Sequence, residues 1–219
     1  MRKIYKATII LFLFYNQTIS ATDWQLWTTI GAEKKLNKNL KIKIDLENRF
    51  KNDFDNHFYT HGEPSIHHKI INDDNSIGLQ FRQIYEESSS GKWKLESRPG
   101  IIWLTKFSLL GSQLDSRIKV IYRVLERSSN RIAFRGRLGF EIFKISPISG
   151  YISDELFYHY NGLDQIDRNR LILGMKINIK TKKLSVDAKT YLLRQDNKRS
   201  AFSSWKGTNA IGGSITIKF

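Results

Sequence analysis

Cysteine is absent from the 219 residues of this chain, and proline occurs only three times. Without a thiol, the chain cannot form disulfides, ligate zinc or iron–sulfur groups through thiolates, use a cysteine nucleophile or carry a lipoprotein acyl anchor. Hydrophobic residues make up 40% and charged residues 26% of the sequence, a composition that favours a folded chain over a disordered one. The length favours a single domain.

Long apolar runs are also missing. After residue 21, no stretch approaches the roughly 18 apolar residues that a transmembrane helix requires. Three basic residues among the first six precede the apolar run Ala7–Tyr15, and the small residues Ser20 and Ala21 follow. This order is typical of a secretory signal peptide, and nine apolar residues are too few for a membrane anchor. We predict that residues 1–21 are a signal peptide and that residues 22–219 form the exported domain.

The pattern that dominates the rest of the chain is alternation with a period of two. Apolar and polar residues alternate in this way within residues 40–47, 131–142, 170–179, 184–189 and 211–219. Successive side chains of a β-strand point to opposite faces, so each segment has one apolar and one polar face. In the clearest segment, Leu40, Ile42, Ile44 and Leu46 alternate with Lys41, Lys43, Asp45 and Glu47.

Short turn sequences at residues 36–39, 72–75, 110–112, 144–147 and 180–183 alternate with longer polar segments between the strands, which favours an up-and-down antiparallel meander. The segments number about eleven, and bacterial single-chain barrels have even strand numbers, so we expect ten or twelve strands. The segment His57–Ile70, which contains Pro64, is the weakest strand candidate. The predicted fold class is all-β.

Such strands fit either a soluble barrel or sandwich with its apolar face inward, or a transmembrane barrel with that face outward. Several segments run for 10 to 15 residues, for example Leu40–Lys51 and Trp93–Ser108, which exceeds the usual strand length of globular proteins. Aromatic residues, among them Trp27 and Tyr191, lie mostly near the strand ends, where membrane barrels carry rings of aromatic residues at their rims, and the chain ends on Phe219. These features favour a transmembrane β-barrel, with a secreted soluble ligand-binding barrel as the alternative.

Seven short segments follow one another in an order that carries a family resemblance. They are Trp24–Thr29, Lys34–Phe50, Glu96–Pro99, Ser116–Arg117, Arg135–Gly139, Ser153–Phe157 and Arg168–Leu171. Their order resembles the family known as domain of unknown function 2490, over nearly the whole chain from about Asp23 to Phe219. The resemblance implies an outer-membrane β-barrel of Gram-negative bacteria of the Bacteroidota type. It implies no activity and no catalytic residue.

The polar faces carry a mixed set of charges that would converge on the lumen of a barrel. Two functions follow for such a lumen: a closed barrel held by Arg–carboxylate pairs, or a narrow pore that favours anions. Basic side chains outnumber acidic ones in this set. The candidate lumen-lining residues are Lys43, Asp45, Glu47, Arg49, Arg82, Glu96, Arg98, Arg117, Arg135, Arg137, Glu155, Arg168, Arg170 and Lys176.

An outer-membrane enzyme acting on lipid or peptide is the less favoured alternative. The sequence has no Gly-x-Ser-x-Gly, His-Glu-x-x-His or phosphate-binding glycine motif, and we assign no catalytic, cofactor or metal residue. On a strand, histidines four residues apart lie about 13 Å apart, too far for one metal ion. The polar residues weighed for catalysis are His57, His61, His67, His68, His159, Asp53, Asp55, Asp154 and Ser153.

The expected partners follow from an outer-membrane location. Phe219 is the candidate signal for the β-barrel assembly machinery, and Lys198, Arg199 and Lys206 could contact lipopolysaccharide phosphates. The net charge of +15 does not indicate nucleic-acid binding, since the basic residues are interleaved with acidic ones and the chain is exported. We expect a monomer in outer-membrane lipid, without a cofactor.

Overall fold

The computed structural model describes residues 24–70, 74–88, 90–109, 112–126, 129–160, 165–198 and 204–219. The predicted signal peptide lies outside these residues. Within them, no helix is both long enough and apolar enough to cross a membrane. The strands are β1 (Trp24–Lys35), β2 (Leu40–Lys51), β3 (Asn56–Lys69), β4 (Asn75–Glu87), β5 (Trp93–Leu109), β6 (Ser112–Leu125), β7 (Arg131–Ile145), β8 (Ile148–Tyr160), β9 (Gln165–Lys180), β10 (Ser185–Asn197) and β11 (Lys206–Lys218).

The eleven strands form one closed barrel in which each strand pairs with its neighbours in sequence and β1 pairs with β11. The all-β class is therefore confirmed, whereas the expected even strand count is wrong. The expected fully antiparallel pairing is also wrong, because in an odd-stranded meander the first and last strands run in the same direction. The seam between β1 and β11 is accordingly parallel, from the pair Trp24–Asn209 to the pair Glu33–Lys218.

The segment judged weakest in the sequence forms a complete strand, β3, between β2 and β4. Its pairing with β4 is interrupted at Glu63 and Pro64, where proline has no N–H to donate. On the other side, Pro64 is aligned with Ile44 of β2. The alternation of Tyr59, His61 and Glu63 with smaller residues therefore marks a true strand.

The two ends of the barrel differ in the length of their connections. At one end, here called the turn end, segments 36–39, 70–74, 110–111, 146–147 and 181–184 join the strands, and Phe219 lies beside β1. At the opposite end, the loop end, the connections are 52–55, 88–92, 126–130, 161–164 and 198–205, and β1 begins at Trp24. All five predicted short turns lie at the turn end. The odd strand count thus places the first residue of β1 and the last residue of β11 at opposite ends.

The outer surface of the barrel is apolar along every strand. On β2, for example, Ile44 and Leu46 are 47% and 56% exposed, while the intervening Asp45 is only partly exposed. A small apolar cluster of Trp27, Leu193 and Ala210 lies inside. Trp27 is thus buried in the interior and is not one of the aromatic residues of the barrel rim.

Tyr191 also differs from its expected position at the rim, since it packs against this inner cluster. Its ring lies directly against Gly212 of β11, and Gly174 of β9 flanks it on the other side. A Cβ atom at Gly212 would overlap the ring, so the glycine provides the space for an inward tyrosine.

Candidate functional site

The candidate site is the charged interior of the barrel. Side chains from strands on opposite walls meet there, which shows that they point toward the barrel axis. Lys119 of β6 bonds Glu63 of β3 at 3.2 Å, and the guanidinium of Arg170 on β9 lies 4.9 Å from the ring of Trp27 on β1. The polar faces of the amphipathic strands therefore come together in one compartment.

Glu155 is the centre of the largest group of interior charges. Its side chain is 2% exposed, and its two oxygens accept hydrogen bonds from Arg117 at 2.7 Å, Arg135 at 3.0 Å and Arg170 at 3.3 Å. Gln195 accepts further bonds from Arg170, the shorter at 2.6 Å. One carboxylate from β8 thus connects β6, β7 and β9, and such charge-assisted bonds are the strong ones in proteins.

A second group forms around Glu63 of β3. Its carboxylate pairs with Arg82 on the neighbouring strand β4 and with Lys119, whose ammonium also donates to Gln80 at 2.6 Å. Lys119 is buried, so these two partners replace the water that its charge has lost. The group crosses the barrel from β3 and β4 to β6.

Toward the loop end, Glu96 of β5 accepts bonds from Arg98 and Arg123, each at 2.6 Å. Arg123 also donates to Nε2 of His159 at 2.9 Å, and Nδ1 of His159 lies 2.6 Å from Asp167. Because a guanidinium can only donate, Nε2 accepts and Nδ1 carries the proton toward Asp167. Both ring nitrogens of His159 are therefore occupied.

Aromatic rings complete the packing of the interior. The guanidinium of Arg49 bonds Glu47 at 2.7 Å and lies 3.7 Å from the ring of Trp27 and 4.2 Å from that of Tyr59. His61, on the strand next to Glu47, has its Nδ1 3.6 Å from that carboxylate. The cation–π contacts of Arg49 with Trp27 and Tyr59 add to its ion pair with Glu47 and hold its guanidinium against the barrel wall.

The groups around Glu155 and Glu63 form what we call the ion-pair belt, defined by Glu155, Arg117, Arg135, Arg170, Glu63, Arg82 and Lys119. The belt lies at the middle of the barrel, and a cavity of only about 20 Å³ separates it from the arginines on its loop-end side. Two larger cavities, of about 250 and 880 Å³, lie on its turn-end side. The belt can therefore brace the wall and obstruct passage along the axis.

Comparison with protein families assigns the sequence to one family. The profile of the family described as protein of unknown function (DUF2490) matches residues 24–205, from the start of β1 to the residue before β11. The chain belongs to the DUF2490 family. A search of curated proteins gives no match to it.

Every residue predicted to line the lumen of this DUF2490 protein lies on a strand, and most form the ion pairs described above. Lys43 pairs with Asp45 at 2.6 Å, Arg137 pairs with Asp115, and Lys176 lies 3.7 Å from Asp187. The guanidinium of Arg168 lies 5.1 Å from the ring of Phe157.

Sequence reasoning did not select Glu63 or Asp115, each of which neutralises a predicted basic residue. Glu63 lies in the weakest strand candidate of the sequence, although its alternation with Gly62 and Pro64 is visible there. Asp115 is aligned with Gly139, two residues away from its partner Arg137. A glycine aligned with an acidic residue is only a weak indication of an ion pair, so the sequence alone does not reveal the pair between Asp115 and Arg137.

The residues weighed for catalysis do not come together. Asp53 and Asp55 lie in the 52–55 connection and His57 follows at the start of β3, whereas His67 and His68 lie near the turn end on opposite faces. Ser153 is buried and Asp154, the next residue, is exposed. Among the described residues of the DUF2490 protein, no group of three His, Asp or Glu could hold a metal ion.

The central place of Glu155 leads to a stability prediction. We expect Glu155→Gln to lower the free energy of unfolding by about 3–5 kcal/mol, since it leaves three buried guanidinium groups without their carboxylate. Asp154→Asn is the matched control, because this neighbouring carboxylate points to the opposite face, where it accepts from Asn169 at 2.8 Å. The control should change stability by less than about 0.5 kcal/mol or raise it. Urea unfolding of the detergent-solubilised protein measures both, and equal losses would contradict the assigned role of Glu155.

Proposed function

We propose that this DUF2490 protein is a β-barrel of a bacterial outer membrane whose interior is braced by the ion-pair belt and does not form an open channel. The observation that carries the proposal is the distribution of side chains between the two faces. Large apolar side chains are exposed on all eleven strands, whereas buried carboxylates, guanidinium groups and ammonium groups occupy the interior. In water this arrangement would expose a continuous apolar surface, and in a bilayer it would satisfy both faces.

The soluble ligand-binding alternative requires the opposite distribution. A soluble barrel buries its apolar face and presents its polar face to water. Here Leu79, Ile101 and Leu138 are all exposed at the middle of their strands. The strands are also 12 to 17 residues long, which is sufficient for tilted membrane strands.

Exposed aromatic side chains near the loop end support the same proposal. Trp and Tyr prefer the level of lipid headgroups, where their rings contact apolar chains and their polar atoms contact water. The exposed aromatic residues at or near the loop end include Trp24, Phe54, Tyr85, Trp93, Tyr122, Phe134, Tyr160 and Trp205. Phe107, Phe143 and Phe219 are exposed near the turn end, and Phe81 and Trp103 are exposed farther from the strand ends.

An exception on the apolar face is Asp154, exposed at the middle of β8 and bonded to Asn169. Its aligned neighbours on the flanking strands are Leu138 and Leu171. A single carboxylate at this depth is unfavourable in lipid, and Asn169 offsets part of the cost by donating a hydrogen bond to it.

The difference between the two ends supports an orientation for the barrel. Membrane barrels of this kind have short periplasmic turns and longer extracellular loops. We therefore assign the turn end to the periplasm, where Phe219 would meet the assembly machinery. Lys198 and Lys206 then lie at the cell surface, where lipopolysaccharide phosphates are available, and Arg199 lies outside the described residues.

The first test concerns the face that meets lipid. Leu46 at the middle of β2 and Leu36 in the 36–39 turn are both leucines and similarly exposed, at 56% and 50%. We expect Leu46→Arg to prevent accumulation in the outer-membrane fraction, since a cation at the bilayer midplane costs about 2–4 kcal/mol. Leu36→Arg should accumulate normally. Wild-type protein in the soluble fraction, or equal accumulation of both variants, would contradict the membrane assignment.

A second test concerns orientation and the odd strand count. Epitope tags placed before Trp24 and in the 198–205 segment should both bind antibody on intact cells, whereas a tag in the 181–184 turn should bind only after the outer membrane is permeabilised. An even-stranded antiparallel barrel would place the start of its first strand and the end of its last strand on the same side. A tag before Trp24 that is protected together with the 181–184 tag would overturn the assignment.

The third test separates a braced barrel from a pore. Purified protein in planar bilayers should show no discrete conductance steps, because the ion-pair belt crosses the axis. Reproducible steps with a reversal potential that indicates anion selectivity would instead favour a narrow, basic-lined pore. The protein used is the fraction that migrates as a folded barrel before heating.

A further inference from the structure

The turn-end half of the barrel contains a water-accessible vestibule that the proposed bracing role does not use. It consists of the inner cavity of about 250 Å³ and the outer cavity of about 880 Å³, which share Glu33 and Lys218 on their walls. The outer cavity reaches the connections 146–147 and 181–184, so it opens at the turn end. The inner cavity reaches Lys119 and Glu63 of the ion-pair belt. The vestibule therefore extends from the turn end of the barrel to the ion-pair belt.

The wall of this chamber is strongly basic. Twelve basic side chains and five carboxylates line the two cavities together. The carboxylates deep inside are already neutralised: Glu33 by Lys41 at 3.1 Å, and Asp187 by Lys218 at 2.5 Å. Asp187 also lies 3.7 Å from Lys176, so two ammonium groups share one carboxylate. The surplus charge of the chamber is positive.

Lys189 shows this surplus most clearly. It is on the inward face of β10 and lines the inner cavity, and it has no carboxylate partner among the residues described. Its Nζ lies 5.9 Å from the ring of Tyr151, which is a weak contact for an ammonium group. A chamber with low-dielectric walls and unbalanced lysines concentrates anions. The ammonium of Lys189 is thus placed to meet a ligand that enters from the turn end.

We propose that the vestibule binds a solute bearing phosphate groups with several negative charges, with Lys189, Lys176 and Lys218 as the principal contacts. Lysine binds phosphate as a point charge on a flexible side chain and does not require the planar geometry of a guanidinium. Lysines can therefore reach a phosphate group at different positions in a chamber that is wider than one phosphate. The inner cavity can accommodate a small phosphorylated group, and the lysines of the 181–184 turn line the entrance. The inference rests on the interior of the barrel alone and holds whether or not the outer face meets lipid.

Calorimetric titration of the full-length protein in detergent, with inorganic tripolyphosphate as the probe, tests this site. We expect saturable binding that weakens as sodium chloride is raised, because ionic contacts are screened. Lys189→Gln should weaken binding about tenfold, the loss typical of one charge-assisted contact. Lys94→Gln, which removes a lysine at the loop end, is the charge-matched control and should leave the affinity unchanged.

Lys189→Gln should fold, since it leaves no buried carboxylate without a partner. Lys176→Gln provides a second variant on a different strand with the same expected loss of affinity.

A short-chain phosphatidic acid in place of tripolyphosphate distinguishes a lipid phosphate from a free one. Preferential, Lys189-dependent binding of the lipid would support the phosphate site and assign its source. Absence of binding of both probes, or equal losses in Lys189→Gln and Lys94→Gln, would overturn the proposal. Failure of the membrane fractionation test would leave this titration valid, so the two proposals fail separately.

Discussion

The neutralisation of buried guanidinium and ammonium groups is the constraint on which the rest of this structure depends. A charge in the barrel interior that loses its water is stabilised by a paired carboxylate, as in the ion-pair belt. Glu155, Glu63 and Glu96 each accept from two or three basic side chains. Apart from Arg98, which shares β5 with Glu96, these partners lie on neighbouring strands or across the barrel. Because these bonds connect strands that are distant in sequence, they fix the barrel circumference as well as its interior.

The two faces of each strand follow from the same constraint. With the charged positions turned inward, strict alternation leaves the apolar positions outward, as Ile44 and Leu46 show on either side of Asp45. The barrel then closes with an odd number of strands, at the cost of one parallel seam whose bonds are slanted and slightly weaker. Main-chain bonds between Phe219 and β1 extend this seam, from the Phe219 amide to Glu33 at 2.9 Å and from the Lys35 amide to Phe219 at 3.4 Å.

Local pattern predicted most of this fold. The alternation of Leu40–Lys51 gave the bounds of β2 as observed, and Trp93–Ser108 differs from β5 by one residue. The strand count could not be predicted in the same way, because closure depends on which strand meets which at the seam and no local pattern encodes that. The even number expected from other bacterial barrels was therefore the wrong guide.

The composition of the charged interior could be predicted from the sequence, but the contacts within it could not. Alternation placed the predicted charged residues on the polar faces of their strands, but it did not reveal the pairing that decides their function. Arg117 and Glu155 are 38 residues apart and meet only because the barrel brings β6 and β8 to either side of β7. The position of Trp27 could not be predicted from its place along the strand. Its closeness to a strand end suggests a rim position, whereas Arg49 and Arg170 hold its ring inside the barrel through cation–π contacts.

The absence of native cysteine makes one measurement especially direct. Single cysteines introduced in turn at residues 42 to 47 of β2 can each carry a nitroxide spin label, whose relaxation by oxygen and by a water-soluble nickel complex is then measured in reconstituted membranes. If the apolar face of β2 meets lipid, labels at Ile42, Ile44 and Leu46 are relaxed mainly by oxygen, which concentrates in lipid, and labels at Lys43, Asp45 and Glu47 are not. Relaxation by the nickel complex at Ile42, Ile44 and Leu46 would show that this face meets water and would contradict the proposed membrane barrel.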